Sequence, residues 1–178
     1  TPAYVKSKLR NLMATGVTPD LVIVDYLQYM CATDIGKKSE NRVLEVGRIS
    51  ADLKKIAKDL NLPVLALAQL SRSVESRNSK VPMLSDLRES GSIENDADVV
   101  MFIYRDDVYN PESERPNTAD IIVAKHRNGK VGEVSTFFKK STTQFVDLEI
   151  HHTDDDEVDL QFEQVEADFD DVYVEEDV

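Results

Sequence analysis

Apolar runs recur along the chain at residues 21–24 (LVIV), 64–68 (VLALA), 99–104 (VVMFIY) and 121–124 (IIVA). Each is too short for an ordinary helix and lacks the polar alternation of a half-exposed strand. The first therefore predicts a strand covered by helices above and below, as in the middle of a parallel sheet, and the others predict further buried strands. Between the runs the period lengthens. Thr1 and Pro2 read as N-cap and first helical residue, Val5, Leu9, Leu12 and Met13 repeat on one face, and Gly16 stops the helix. After a polar loop at residues 33–40, a long helix places Ile49, Leu53, Ile56, Ala57 and Leu60 on its buried side and ends before Pro63. Residues 71–92 are loop-rich and carry Arg72, Arg77, Lys80 and Arg88. Residues 131–138 (VGEVSTFF) alternate like a further strand, with Asn128-Gly129 as the hairpin turn before it. Strand and helix alternate first and a hairpin comes last. This predicts an α/β fold with a mostly parallel sheet flanked by helices and a C-terminal antiparallel hairpin.

Charge divides the chain in two. Residues 1–148 hold 20 acidic and 21 basic side chains, whereas residues 149–178 hold 14 acidic ones and no Lys or Arg, so the net charge of −13 mostly describes the tail. One domain, residues 1–148, is expected, followed by an acidic tail, residues 149–178, too highly charged to form a packed core and expected to be disordered. The single cysteine, Cys31, excludes an internal disulfide and fits a reducing compartment. No apolar stretch approaches the roughly 20 residues that span a bilayer, and no signal-peptide pattern opens the sequence. A soluble, cytoplasmic chain with no membrane partner is the expectation.

The first run ends on a carboxylate, Asp25, within LVIVDYLQ. The carboxyl end of a parallel strand is where α/β sheets bind ligands, and an acid there can hold Mg²⁺ beside a nucleotide. Apolar runs ending in Asp also occur without any such role. The phosphate-cradling pattern G-x-x-x-x-G-K-[ST] does not occur in these residues. The nearest approach, residues 124–131 (AKHRNGKV), has Gly129-Lys130 but Ala124 at the first glycine position and Val131 in place of the hydroxyl. It also runs into a strand rather than a helix N-terminus, where free N–H groups would face phosphate.

Together LVIVDYLQ, ALAQLSRSVESR, SDLRESGSIENDADVVMFIYRDDVY and IIVAKHRNGKVGEV resemble, in order and spacing, the C-terminal motor domain of bacterial DnaB-type replicative DNA helicases. The resemblance covers residues 1 to about 147, and residues 85–109 are its most specific part. It implies a RecA-like fold, represented by its second half, in a homo-hexamer ring around single-stranded DNA with ATP as fuel. Asp25 then matches the Walker B acid that holds Mg²⁺. Gln69 matches a glutamine that senses the terminal phosphate. Lys125 and Arg127 match a catalytic pair that reaches the nucleotide of the adjacent subunit, as an arginine finger does. Two residues apart on extended chain, both leave the strand on one face. Arg88, Glu89 and Gly91 match the loop that follows the DNA backbone, Arg88 supplying charge, Gly91 exposing main-chain N–H, and Glu89 bracing a neighbouring arginine. His126, on the opposite strand face, is assigned no role.

Several features depart from that family. The P-loop, the water-activating glutamate and the amino-terminal collar are missing from these residues, so the chain alone is expected to be inactive and to be either a fragment or half of a split motor. The acidic tail carries Phe162, Phe169 and Tyr173 among its carboxylates. A protein-binding segment and a polyanion that displaces DNA stand beside the plainer reading of a solvated tail. Contacts with a primase or helicase loader belong with the motor reading. A nucleotide-independent accessory subunit is the alternative, and a RecA-type recombinase fits less well, since it would not be expected to carry RESGSIENDAD or the KHRNG hairpin.

Overall fold

Thr1 accepts a hydrogen bond on its side chain from the Tyr4 N–H at 3.3 Å and so opens helix α1, Pro2–Ala14. In the computed structural model, which describes residues 1–32, 42–90 and 93–148 and leaves aside the side chains of residues 88–90, the helix ends before Gly16. Gly16 has a φ of +87°, a left-handed conformation that glycine adopts without strain. Strand β1, Val22–Val24, and a 3-10 turn, Leu27–Tyr29, lead to helix α2, Arg42–Leu60, and strand β2, Val64–Ala66. The segment expected to be loop-rich is made of short pieces: helix α3, Ser73–Ser76, a 3-10 segment, Leu84–Ser90, and helix α4, Ile93–Asp96. Strand β3, Val99–Tyr104, helix α5, Asp106–Tyr109, and strands β4, Thr118–His126, β5, Gly132–Lys139, and β6, Gln144–Asp147, complete the order. The chain divides into Thr1–Val146 and Asp147–Val178. The tail expected to be disordered, residues 149–178, lies outside the described residues.

The fold is α/β, and its strands form a parallel pair, β1-β2, and an antiparallel sheet in the order β3-β4-β5-β6. β3, expected beside the parallel strands, instead pairs with β4, Phe102 opposite Ile122. Both sheets lay one face on α2. The amphipathic stripe Val46, Ile49, Leu53 and Ile56 shares one core with Leu27 and the partly buried Val22 and Val24 of the parallel part and with Val100 and Phe102 of β3. Ala57 and Leu60, expected in the same stripe, are only partly buried.

The opposite faces are open. Ile23 and Ile103 are each 60% exposed, and Leu65, Leu67, Val99 and Met101 are exposed with them. Cover from above and below, expected from the unbroken apolar runs, is thus met on one side only among the described residues. No helix among them is long and apolar enough to cross a membrane.

The Asn128-Gly129 hairpin joins β4 to β5 as expected. The His126 ring accepts a hydrogen bond from the Asn128 N–H at 3.3 Å and folds over Gly129, where a Cβ would lie 2.8 Å from it and the exposed ring would have to swing aside.

The far end of the antiparallel sheet is pinned by Asp107. Its side chain, 6% exposed, pairs with Lys140 at 2.8 Å and Arg105 at 3.0 Å and accepts from the Asn117 N–H at 3.1 Å. Burial works to raise this carboxyl, but Lys140, the Asn117 N–H and Arg105 outweigh it and hold it down at about 2. A depressed carboxylate stabilises the fold fully above its unfolded value near 4 and loses that effect as pH falls toward 2. Asp107→Asn is expected to cost about 1 to 3 kcal/mol at pH 7 in urea unfolding, with the difference from wild type closing between about pH 4 and pH 2. A difference that stays constant over that range would place the stabilisation elsewhere.

Candidate functional site

β1 and β2 run parallel with Ile23 opposite Leu65, so their carboxyl ends open together and bring Asp25 and Gln69 to one edge. Pairing continues beyond the strands. The Leu67 N–H donates to the Val24 carbonyl and the Leu27 N–H to the Leu67 carbonyl, each at 2.9 Å. Gln28 then closes the two chains with both halves of its amide: Nε2 donates to the Gln69 carbonyl at 3.1 Å, and Oε1 accepts from the Gln69 N–H at 3.2 Å. Behind Gln28 stands Arg42, whose Nη2 donates to the carbonyls of Gln28 at 2.6 Å and Met30 at 3.1 Å. Its Nη1 pairs with Glu45 at 2.5 Å, and Glu45, whose side chain is 3% exposed, also accepts from the Ala32 N–H. The first turn of α2 therefore fixes the loop that follows Asp25.

Asp25 itself is exposed and joined to Tyr26 by a cis peptide bond. No group of three or more His, Cys, Asp or Glu side chains among the described residues could hold a metal ion by itself. A single exposed carboxylate nonetheless suits Mg²⁺, which keeps several waters and takes one or two carboxylates plus substrate phosphate oxygens. Gln69 is exposed as well, and both bonds from Gln28 go to its main chain.

Beyond Gln69 lies a cavity of about 560 Å³ shared by Ser71, Arg72 and Glu75 after β2 and by Tyr104, Arg105 and Tyr109 at the end of β3. Tyr104 stacks on Tyr109, with centroids 6.1 Å apart, and donates to Asp106 at 2.8 Å. Burial and that carboxylate push its hydroxyl up to about 12. The carboxyl ends of β2 and β3 thus lie at one edge.

Lys125 and Arg127 lie at the other. Lys125 is opposite Val100, at the start of β3. Between Val100 and Met101 the register skips Ala124, and this bulge turns Lys125 onto the strand face of Val100. Lys125 donates to the Glu94 carbonyl and Arg127 to the Asn95 carbonyl, so both side chains meet α4. Arg127 also faces Asp98 at 3.7 Å, and Lys54 beside Asp98 holds that carboxyl below the usual carboxylate range, with Arg127 adding to the effect. Val100, opposite Lys125, lies four residues before Tyr104, roughly 13 Å of extended chain. The structure thus brings Asp25 to Gln69 and Lys125 to Arg127, but not one pair to the other. Arg88 and Glu89 fall in the 3-10 segment Leu84–Ser90, where their side chains are not described, and Gly91 lies outside the described residues.

Sequence reading missed Gln28 and Arg42. The signal for Gln28 was present inside LVIVDYLQ, but its partner is 41 residues away and nothing local points to it.

A family model described as the DnaB-like helicase C terminal domain matches residues 1–147. The replicative DNA helicase DnaB of Geobacillus stearothermophilus is 54% identical over 146 residues, 82% of this chain and 31% of that protein. The replicative DNA helicase DnaC of Bacillus subtilis (strain 168) is 52% identical over 146 residues, with the same shares. The chain thus spans about a third of the length of these relatives. Among solved structures, a DnaB-like replicative helicase studied with its interactions with primase superposes with a TM-score of 0.76 at 46% identity, over 84% of this chain and 35% of that one. A second solved structure, described as an ATPase domain, gives 0.75 at 46% identity, over 84% of this chain and 52% of that one.

Gln28→Ala removes two hydrogen bonds in a partly exposed setting and is expected to cost about 1 to 2 kcal/mol. It should also speed hydrogen exchange at the Gln69 amide. Exchange there at the wild-type rate would mean that Gln28 does not hold the two strand ends together.

Proposed function

The chain belongs to the DnaB-like helicase C terminal domain family, and from that premise we propose that it forms the second half of a replicative DNA helicase motor. The complete motor, on this reading, couples hydrolysis of ATP or a similar triphosphate to movement along single-stranded DNA and to duplex unwinding in the cytoplasm.

The observation that carries the reading is the division of the site. Asp25 and Gln69 end neighbouring parallel strands whose chains Gln28 ties together, while Lys125 and Arg127 sit together at the opposite end of β3 from Tyr104, Lys125 roughly 13 Å of extended chain from it. Two cations at the far end cannot serve their own strand-end edge. They serve the nucleotide bound by an adjacent copy, and a closed homo-hexamer ring gives every copy such a neighbour. Lys125 now donates to the neutral Glu94 carbonyl, and Arg127 to the neutral Asn95 carbonyl beside a long, exposed ion pair with Asp98; a phosphate oxygen outcompetes such carbonyls.

Asp25 is the residue that would hold Mg²⁺, which when bound neutralises charge on the transferring phosphoryl group. Gln69 reaches the terminal phosphate with an amide that can donate and accept. Arg88, Glu89 and Gly91 belong to the DNA-facing loop, where contacts to the phosphate backbone are tolerant of sequence and weaken with salt. The P-loop and the water-activating carboxylate come from the rest of the motor. The open apolar face of β1, β2 and β3 is suited to being covered by that half, since apolar surface left in water is what such a cover buries. Primase contact enters from the neighbouring structure of a helicase described with primase.

In the complete motor, Arg127→Ala is expected to lower ATP turnover by about 10³-fold or more with single-stranded DNA binding largely kept. Unchanged turnover would remove Arg127 from catalysis, and a ring that hydrolyses nothing even as wild type would favour the accessory-subunit reading. Met101→Ser tests the cover. In the isolated chain it is expected to change stability by less than about 0.5 kcal/mol, and in the complete motor to cost about 2 kcal/mol. Equal effects in both would mean that the face stays open.

A further inference from the structure

The 3-10 segment Leu84–Ser90, which carries Arg88, is held by Asp86 through both its buried carboxylate and its main-chain carbonyl, with Leu87 packed in the core beside it. Asp86 is 4% exposed, and Arg77 meets it with two parallel bonds, Nη1 to Oδ1 and Nη2 to Oδ2, each 3.0 Å. Arg77 is braced in turn by the Ser79 carbonyl at 3.2 Å and the Val81 carbonyl at 2.8 Å. Asp86 Oδ2 also accepts from the Met83 N–H at 2.8 Å, and the Asp86 N–H donates to the Met83 carbonyl at 2.9 Å. Its own carbonyl accepts from the Ser71 N–H at 3.1 Å. Ser71 lies two residues beyond Gln69, whose main chain is held by Gln28. Leu87, next to Asp86, is buried in the core.

We propose that Asp86 is a positioning residue that fixes the loop carrying Arg88 to the strand end carrying Gln69, so that the phosphate-sensing edge and the DNA-facing loop shift together. The proposal rests on the motor reading above. A guanidinium presents its donors in a planar fork, so a bidentate pair fixes angle as well as distance, which a lysine cannot do. The pair is also not a loose surface contact. A buried carboxylate stripped of its cation has no water to turn to, so the tie holds wherever the segment is folded. Two residues of 3-10 chain rise only about 4 Å, so a displacement at Asp86 reaches the Arg88 main chain nearly undiminished.

The test uses the complete motor with Asp86→Asn, Arg77→Lys and the exchange Arg77→Asp with Asp86→Arg, following ATP turnover against oligo-dT concentration alongside thermal melting. For Asp86→Asn, turnover without DNA is expected to stay within about twofold of wild type, while half-maximal stimulation needs about tenfold more oligo-dT or more. Arg77→Lys should fall between, and the exchange should recover part of the stimulation. An unchanged half-maximal oligo-dT concentration overturns the proposal, as does a loss of basal and stimulated turnover in equal proportion, which marks a purely structural tie. Should Asp86→Asn fail to assemble, Arg77→Lys is judged by the same two criteria. If wild-type turnover does not respond to oligo-dT at all, the motor reading falls first and takes this proposal with it.

Discussion

Ile49 has no surface left to expose, and almost everything else in the structure is arranged around the stripe it belongs to. Val46, Ile49, Leu53 and Ile56 on α2 are the ground on which both sheets rest, the parallel pair through Val22, Val24 and Leu27 and the antiparallel sheet through Val100 and Phe102. The two sheets share no ladder hydrogen bonds, so burial against this one helix holds their strand ends at a common edge. Burying an aliphatic side chain of this size contributes on the order of 2 kcal/mol, and four on one helix exceed any single polar tie in the chain. The helix also orients the polar end of the fold. Its first turn supplies Arg42 and Glu45, which grip the loop after Asp25, and its later turns supply Lys54, which meets Asp98 beside Arg127.

Much of this was legible in the sequence because it follows from period and punctuation. The Thr1-Pro2 start and Gly16 stop of α1, the α2 stripe, the span of β3 and the hairpin at Asn128-Gly129 are all local signals. The strand partners were not legible. An unbroken apolar run says that both faces avoid water, not which strand lies alongside, and β3 turned out to pair with β4 rather than with the parallel strands. Nor does such a run say whether this stretch of chain supplies both covers. Ile23, Leu65, Met101 and Ile103 are apolar for a face that these residues leave open.

The candidate site was legible in its charges and illegible in its supports. Asp25, Gln69, Lys125 and Arg127 stand at strand ends where a pattern can find them. What places them is non-local: Gln28 reaches 41 residues to Gln69, and Arg42 reaches 14 residues back to Gln28. The bulge that skips Ala124 is equally hidden. Without it, strict alternation would set Lys125 on the same face as the open Val123 side, away from α4. One extra residue in a ladder therefore decides which way the basic pair faces.

On the proposed reading, the length of β3 acquires a mechanistic meaning. A catalytic cation must stand within hydrogen-bond reach of the phosphate it stabilises, about 3 Å, and β3 holds Lys125 and Arg127 several times farther than that from their own strand-end edge. A long flexible side chain does not close such a gap, since an arginine extends only about 7 Å from its main chain. Under that proposal, turnover in a solitary subunit is limited by geometry rather than by chemistry, and assembly completes each site. The same geometry explains why the folded part can be nearly neutral. Its few cations need not attract DNA or nucleotide from a distance when a ring supplies each contact several times over, and weak contacts held at high effective concentration add up to firm binding.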